Sequence, residues 1–105
     1  MFKINFNGVE LQVADQDFTN EMNWGEAVKA CIELGSDWRL PTIEELKAIY
    51  EQLIEKGQGN FNEYTVYWSI TEYDTNHAWR FQTYSSDADY ALKSNSGYVR
   101  AVRNL

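Results

Sequence analysis

The chain has 105 residues, of which 44% are hydrophobic and 15% aromatic, as expected for one soluble globular domain with its own core. Its formal net charge of −7 argues against binding nucleic acid or an anionic membrane through a general positive field. The one cysteine, Cys31, excludes an intramolecular disulfide, and no apolar run is long enough for a transmembrane helix. We therefore expect a single domain over residues 1–105.

The first eight residues contain no apolar run typical of a signal peptide. An unpaired Cys31 also suits a reducing compartment. Together these features predict a cytoplasmic protein. The alternative is an exported parent protein from which a leader has been removed.

Residues 2–14 are predicted to form a β-hairpin. Asn7-Gly8 is a favoured two-residue type I′ turn, and apolar residues alternate on both sides of it. Pairing across this turn places every apolar side chain of the hairpin on one face. These side chains are Phe2, Ile4, Phe6, Val9, Leu11 and Val13.

A first helix is predicted after the polar residues 15–23. Asn23 is a good N-cap with Glu26 as its capping partner, and Gly35 is the expected C-terminal cap. Cys31 is expected to be a small buried hydrophobe on the apolar face, because no basic cluster nearby would lower the pKa of its thiol. That face consists of Trp24, Ala27, Val28, Cys31 and Ile32.

The segment Trp38-Arg39-Leu40-Pro41-Thr42 links the two predicted helices. Pro41 restrains the residue before it to an extended conformation, and Trp38 is apolar enough to be buried. Arg39 lies between two apolar residues, so its charge needs a partner, which can be Glu45 or Glu72. The residues predicted to be structural are Trp38, Arg39, Pro41, Trp68 and Glu72.

The second helix is predicted from about Ile43 to Glu55. Thr42 and Glu45 form its capping box, and Glu44 lies where the helix dipole favours a negative charge. Capping explains both carboxylates better than a catalytic pair does. The apolar stripe consists of Ile43, Leu46, Ile49, Tyr50, Leu53 and Ile54.

Short strands are predicted in the last third of the chain. Residues 66–70 are β-prone, and residues 71–76 form a turn. Residues 78–83 alternate, with Trp79 and Phe81 on one face and therefore Arg80 on the other.

The region that follows is polar. Residues 85–97 are expected to form a long loop, with a possible short strand at 90–93, and residues 98–103 a final strand.

No catalytic or metal-binding set is evident. His77 is the only histidine, and it is expected to be a solvated turn residue with no nucleophile beside it. Asp74, Asp87 and Asp89 lack EF-hand spacing, so a solvated acidic loop is the better interpretation. Accordingly, no catalytic residue, metal ligand or cofactor is predicted.

The motifs WRLPT at 38–42, YWS-x-TE at 67–72 and YVRAVR at 98–103 occur in this order. In order and spacing they resemble the bacterial family of the collagen-like adhesin C-terminal domain, over residues 20–103. That resemblance implies a compact C-type lectin-like fold related to formylglycine-generating enzymes. The expected fold is α+β, with an N-terminal β-hairpin and two helices packed on a small twisted antiparallel sheet.

Two departures from the family pattern bear on function. Ala101 stands where many members carry the cysteine that would pair with the helix cysteine, which implies that Cys31 is alone in a protein that is not exported. The calcium signatures of lectins and the catalytic cysteines of the related enzymes are missing, so neither activity carries over.

A binding site, if present, is predicted around the late loop. Tyrosine gives rigid contact area, and serine and asparagine give adaptable hydrogen bonds, but the same composition is typical of a plain solvated connection. The predicted ligand contacts are Tyr73, Arg80, Gln82, Tyr84, Tyr90 and Tyr98.

The leading hypothesis is a non-catalytic module that binds a partner, either a protein or a small ligand, with no nucleic acid or membrane involved. The alternative is a carbohydrate-binding, adhesin-like module that works without calcium. The sequence leaves the oligomeric state open.

Overall fold

Two antiparallel three-stranded sheets carry the fold, and the computed structural model describes them with the rest of residues 1–105. The first sheet has the order β1-β2-β6, and the second has the order β3-β4-β5. The α+β class predicted from the sequence is confirmed, with the strands divided between two sheets. The strands are β1 (Phe2–Phe6), β2 (Val9–Val13), β3 (Val66–Glu72), β4 (His77–Gln82), β5 (Asp87–Leu92) and β6 (Val102–Asn104).

The N-terminal hairpin has the predicted register. Phe2 pairs with Val13, and Phe6 pairs with Val9 across the turn. Asn7 and Gly8 have φ angles of 52° and 82°, the positive values that a type I′ turn requires. The predicted apolar face is buried towards the centre of the molecule, at Ile4, Leu11 and Val13.

Helix α1 spans Trp24–Glu33 and begins with the predicted capping box. The Glu26 N–H donates to Asn23 Oδ1 at 2.9 Å, and Asn23 N–H donates to Glu26 Oε1 at 3.1 Å. Gly35 follows the helix with a φ of 76°, as a C-terminal glycine does. Ile32 is 60% exposed, contrary to the predicted stripe, because it lies about 100° around the helix from the buried Cys31.

Helix α2 spans Ile43–Gln52 and is followed by a single 3-10 turn, Ile54–Lys56, so the α-helix ends before the predicted Glu55. Its capping box is present: the Glu45 N–H donates to Thr42 Oγ1 at 3.1 Å, and the Thr42 N–H donates to Glu45 Oε1 at 2.9 Å. The predicted apolar stripe is buried except for Tyr50, which is partly exposed.

The long polar loop predicted at 85–97 is wrong. Residues Asp87–Leu92 form β5, which pairs with β4 from Gln82–Asp87 to His77–Leu92. Its sequence is Asp-Ala-Asp-Tyr-Ala-Leu, in which Tyr90 is the one strong strand former, and pairing with β4 supplies the hydrogen bonds that stabilise it. The predicted turn at 71–76 is also shorter, because β3 continues to Glu72.

Buried apolar side chains form two clusters. The first joins the N-terminal hairpin to α2 and to Tyr67 and Phe81 of the second sheet. The second lies around Trp68 and contains both Cys31 and Ala101. Cys31 is fully buried, as predicted, and burial raises the pKa of its thiol to about 12.

Candidate functional site

A cluster of partly exposed aromatic side chains lies at one end of the second sheet. The rings of Tyr73 and Tyr90 stack in parallel, with centroids 3.8 Å apart and an interplanar angle of 2°. Trp79 meets both rings edge-on, at 5.6 and 5.5 Å. We call Tyr73, His77, Trp79 and Tyr90 the aromatic platform.

Strand pairing and a tight turn build this platform. Trp79 and Tyr90 are directly opposite each other on β4 and β5, so their side chains share one face of the sheet. Tyr73 follows the end of β3, and its N–H donates to the His77 carbonyl at 2.9 Å. This bond turns the chain back and brings the Tyr73 ring over Tyr90.

The platform is accessible to solvent and rigid. Tyr73 is 49% exposed and Tyr90 is 47% exposed, although each ring is held by its neighbours. The interaction with the Tyr90 side chain raises the pKa of Tyr73 above its usual value, so the Tyr73 phenol stays neutral at physiological pH.

His77 lies at the border of the platform, at the start of β4, and not in the solvated turn predicted for it. Its Nδ1 lies 2.7 Å from Asp74 Oδ1, and its ring meets Tyr73 and Tyr90 edge-on. The hydrogen bond with His77 lowers the pKa of Asp74. His77 therefore stabilises the turn that carries Tyr73. No nucleophilic side chain lies beside it.

A groove of about 230 Å³ adjoins the platform between the sheet and the start of α2. Trp79 and Ala88 line its sheet side, and Ile43, Glu44 and Lys47 line its helix side. Two further pockets of similar volume lie along α2. Carboxylates and tyrosine rings form much of their walls. The wall residues of these types are Tyr50, Glu51, Glu55, Glu63, Tyr64 and Tyr84.

Arg80 and Gln82 lie on the other face of the second sheet, as alternation predicted. Asp89 is opposite Arg80 in the ladder, and two of its oxygens lie 3.4 Å from the Arg80 guanidinium. Gln82 Nε2 donates to Asp89 Oδ2 at 2.9 Å. Arg80 also lies over the buried Trp68 ring, 5.7 Å from its centroid, so both predicted ligand contacts are occupied by internal partners.

Tyr84 and Tyr98 are separate from the platform. Tyr84 lies in the β4–β5 turn, beside the pocket that Tyr64 also lines. Tyr98 packs edge-on against the buried Tyr67 at 5.8 Å, and its N–H donates to the Val66 carbonyl. The six predicted ligand contacts therefore do not form one site: Tyr73 and Tyr90 stack on one face, while Arg80 and Gln82 both bond to Asp89 on the opposite face.

The residues predicted to be structural differ in burial, from the fully buried Trp68 and Pro41 to Glu72, whose side chain is 54% exposed. Arg39 pairs with Glu45, one of its two predicted partners, through two hydrogen bonds of 2.7 and 2.8 Å. The other, Glu72, instead accepts from Lys93 Nζ at 2.6 Å. Trp68 and Pro41 are fully buried, and Trp38 is partly covered by Arg103.

Sequence reasoning missed the most buried charge in the molecule. Arg100 is 0% exposed, and its Nε donates to Asp17 Oδ1 at 2.8 Å. Its terminal nitrogens donate to the carbonyls of Ala14, Gly59 and Asn60 at 2.7–2.9 Å.

The network continues through Asp17. Its other oxygen accepts from the Tyr67 hydroxyl at 2.6 Å, and burial raises the pKa of Tyr67. Arg100 also lies over the Phe61 ring at 3.8 Å. The sequence offered one signal: Arg100 lies between the apolar Val99 and Ala101, so its charge needs a partner if the segment is buried, but nothing identifies Asp17 as that partner.

The structure contains no group of three or more His, Cys, Asp or Glu side chains placed to hold a metal ion. Asp74 pairs with His77, and Asp89 pairs with Arg80. None of the helices has the length and apolar composition needed to cross a lipid bilayer.

The fold defines a small α+β domain with two helices and two three-stranded sheets. The chain belongs to the Lcl C-terminal domain family, whose model matches residues 7–103. This match confirms the resemblance at the level of a domain family, while the lectin-like fold stays a prediction. No curated protein matches the chain.

Proposed function

We propose that this domain is a non-catalytic binding module that contacts a protein partner through the aromatic platform. The observation that carries the proposal is the stacked, half-exposed pair Tyr73 and Tyr90. Large rings that are already ordered lose little conformational entropy on binding, which makes them effective contact residues.

The surroundings of the platform support a binding role. Trp79 extends the platform into the groove beside α2, so an apolar contact surface continues from a convex to a concave region. Tyrosine and tryptophan are the residue types that most often dominate protein interfaces. Under this proposal both the groove and the platform contact apolar side chains of the partner.

A non-enzymatic role is part of this proposal. Cys31 is fully buried with a raised thiol pKa, and His77 contacts Asp74 and aromatic rings. Neither is placed as a nucleophile or as a base beside one. The buried, unpaired thiol also suits the cytoplasm, which we propose as the compartment.

A carbohydrate-binding module of the lectin-like type, working without calcium, is the second candidate. The observation that favours it is the flat, exposed face of the Tyr73–Tyr90 pair, since an aromatic face can pack against the apolar face of a sugar ring. A glycan array separates the candidates, because only this one predicts retention of a glycan that is lost with Tyr73→Ala plus Tyr90→Ala.

The test of the protein-binding proposal compares three forms of the domain as bait. The parent, the variant Tyr73→Ala plus Tyr90→Ala, and the control Tyr64→Ala are immobilised at equal density and exposed to cell lysate. Tyr64 is 84% exposed and lies outside the platform, so its variant removes a similar exposed ring elsewhere.

A specific partner should be retained by the parent and by Tyr64→Ala, and should bind the double variant at least about tenfold more weakly. Equal retention by all three forms would place the interface elsewhere. Folding of each form is checked by circular dichroism.

A further inference from the structure

The outer edge of β5 has backbone groups without a protein partner. Strands β4 and β5 place Gln82 opposite Asp87, Arg80 opposite Asp89 and Ala78 opposite Ala91. Lys93 donates to the Asn76 carbonyl at 2.9 Å, which continues the same ladder.

Antiparallel hydrogen bonds involve every second residue of a strand. Because Lys93 bonds towards β4, the odd-numbered residues of β5 also face β4. The N–H and C=O groups of Ala88 and Tyr90 therefore point away from the sheet, and no hydrogen bond of the protein reaches them.

The outer edge of the first sheet, which is strand β1, is hydrogen-bonded by a side chain. The Gln52 side chain accepts from the Asn5 N–H at 2.9 Å and donates to the Asn5 carbonyl at 2.7 Å. This amide bonds the outward-facing groups of Asn5 in the way that a neighbouring strand would, whereas Lys3, the other outward-facing residue within β1, has no such partner. Natural proteins commonly protect edge strands against pairing with another chain, so an unprotected β5 is informative.

Side chains on the two faces of β5 differ in chemistry. Tyr90 belongs to the aromatic platform, and Ala88 lines the adjoining groove. On the opposite face, Asp87 is exposed and forms no ion pair, and Asp89 is only partly neutralised by Arg80, at 3.4 Å. A strand placed beside β5 would therefore have an apolar neighbour on one face and a negative charge on the other.

We propose that β5 binds an extended segment of a partner protein by strand addition, and that this segment alternates apolar residues with Lys or Arg. Its main chain bonds to Ala88 and Tyr90, its apolar side chains contact the platform, and its basic side chains face Asp87 and Asp89. This inference rests on the proposed function and specifies its mode of binding. A second copy of this chain is disfavoured as occupant, because each copy carries a net charge of −7 and two aspartates on that edge.

The test uses a synthetic peptide of about eight residues that alternates Lys and Val, with blocked termini. The control peptide has Glu in place of Lys. Amide hydrogen exchange is measured by NMR on the whole domain with each peptide at about 1 mM.

With the Lys peptide, exchange at Ala88 and Tyr90 should slow by about tenfold or more. Asp89 and Ala91, which already face β4, serve as internal controls and should change little. The Glu peptide should leave all four amides unaffected. Failure of the Lys peptide to slow exchange at Ala88 and Tyr90 would overturn the proposal.

The variant Ala88→Pro removes one outward N–H without removing a bond of the β4 ladder. It should weaken binding of the Lys peptide by about tenfold relative to Ala88→Val, the matched variant that enlarges the same side chain but keeps the N–H. If Ala88→Pro does not fold, Tyr90→Pro removes the next outward N–H and should bind the Lys peptide about tenfold more weakly than the matched variant Tyr90→Ala. Parent-like binding by a folded proline variant would contradict strand addition.

The experiments can refute binding through the platform and strand addition at the β5 edge independently of each other. A peptide that loses affinity with Tyr73→Ala plus Tyr90→Ala, while Ala88 and Tyr90 amides in the parent stay unprotected, would support the proposed function and refute strand addition. Protection of these amides with undiminished affinity in the double variant would support strand addition and refute the platform.

Discussion

The two sheets differ in how the polar groups of their edge strands are hydrogen-bonded. In the first sheet, Gln52 bonds both backbone groups of Asn5, and Arg103 of β6 donates to the Gln12 side chain at 2.7 Å. In the second sheet, β5 has an open edge beside half-exposed tyrosines. The comparison suggests that the first sheet and its surroundings stabilise the fold, whereas the second presents groups that folding does not require.

Arginine residues show the same contrast. Arg100 has no exposed surface and joins the segment after β2 to the loop after α2 through Asp17 and main-chain carbonyls. Arg80 keeps 17% of its side chain exposed and meets Asp89 at 3.4 Å. Removing Arg100 would leave buried acceptors without donors, whereas removing Arg80 would expose a carboxylate that water can reach.

The largest expected effect comes from Arg100→Ala. A buried carboxylate and three carbonyls would lose their donor, so the free energy of unfolding should fall by about 3–5 kcal/mol. Arg100→Lys keeps the charge but not the planar fork, and should lie between the parent and the alanine variant. Urea unfolding followed by tryptophan fluorescence measures this, and a parent-like midpoint for Arg100→Ala would refute a structural role.

The Arg39–Glu45 pair should contribute less. Arg39 has 32% of its side chain exposed, so water can partly replace it, although Glu45 is only 7% exposed. We expect Arg39→Ala to lower the free energy of unfolding by about 2–3 kcal/mol, below the range for a fully buried pair. The same unfolding experiment checks it, and an equal or larger loss than for Arg100→Ala would reverse the comparison.

Acid should weaken the same pair. Burial opposes ionisation of Glu45, but hydrogen bonds from Arg39 and Thr42 outweigh it and lower its pKa below 4.5. A lowered folded-state pKa gives stability that is present above pH 4.5 and is lost as the pH falls through the folded-state value. Glu45→Gln should therefore be less stable at neutral pH and show a flatter decline below pH 4.5, as measured by melting temperature against pH.

Gln52→Ala should open the closed edge. Two hydrogen bonds to Asn5 would be lost at an exposed position, which should cost about 1–2 kcal/mol. The freed edge of β1 should also increase self-association, measured by sedimentation at several concentrations. Gln52→Glu, which keeps an acceptor but no donor, is the control. A variant that remains as monodisperse as the parent would show that Gln52 does not protect the edge.

The smallest effect is expected for Tyr73→Ala plus Tyr90→Ala. Both rings are about half exposed, at 49% and 47%, so their loss should reduce stability by about 1 kcal/mol. Thermal melting measures this. A loss comparable with that of Arg100→Ala would mean that the platform is needed for folding, and the contrast between the two regions would fail.

The sequence by itself determined the local elements of this protein. The Asn7-Gly8 turn, the hairpin register and the two capping boxes depend on residues within a few positions of one another, and all were predicted correctly. The burial of Cys31 was also predicted, because helical spacing places it among apolar neighbours.

Only the tertiary structure decided where distant groups meet. The stack of Tyr73 on Tyr90 depends on the β3–β4 turn and on β5, which the sequence indicated only as a short strand at 90–93 within a loop. The partner of Arg100 lies 83 residues away, and no periodicity links the two positions. The predicted ligand contacts were close in sequence, but strand alternation placed Arg80 and Tyr90 on opposite faces, because neighbouring side chains of a pleated sheet point in opposite directions.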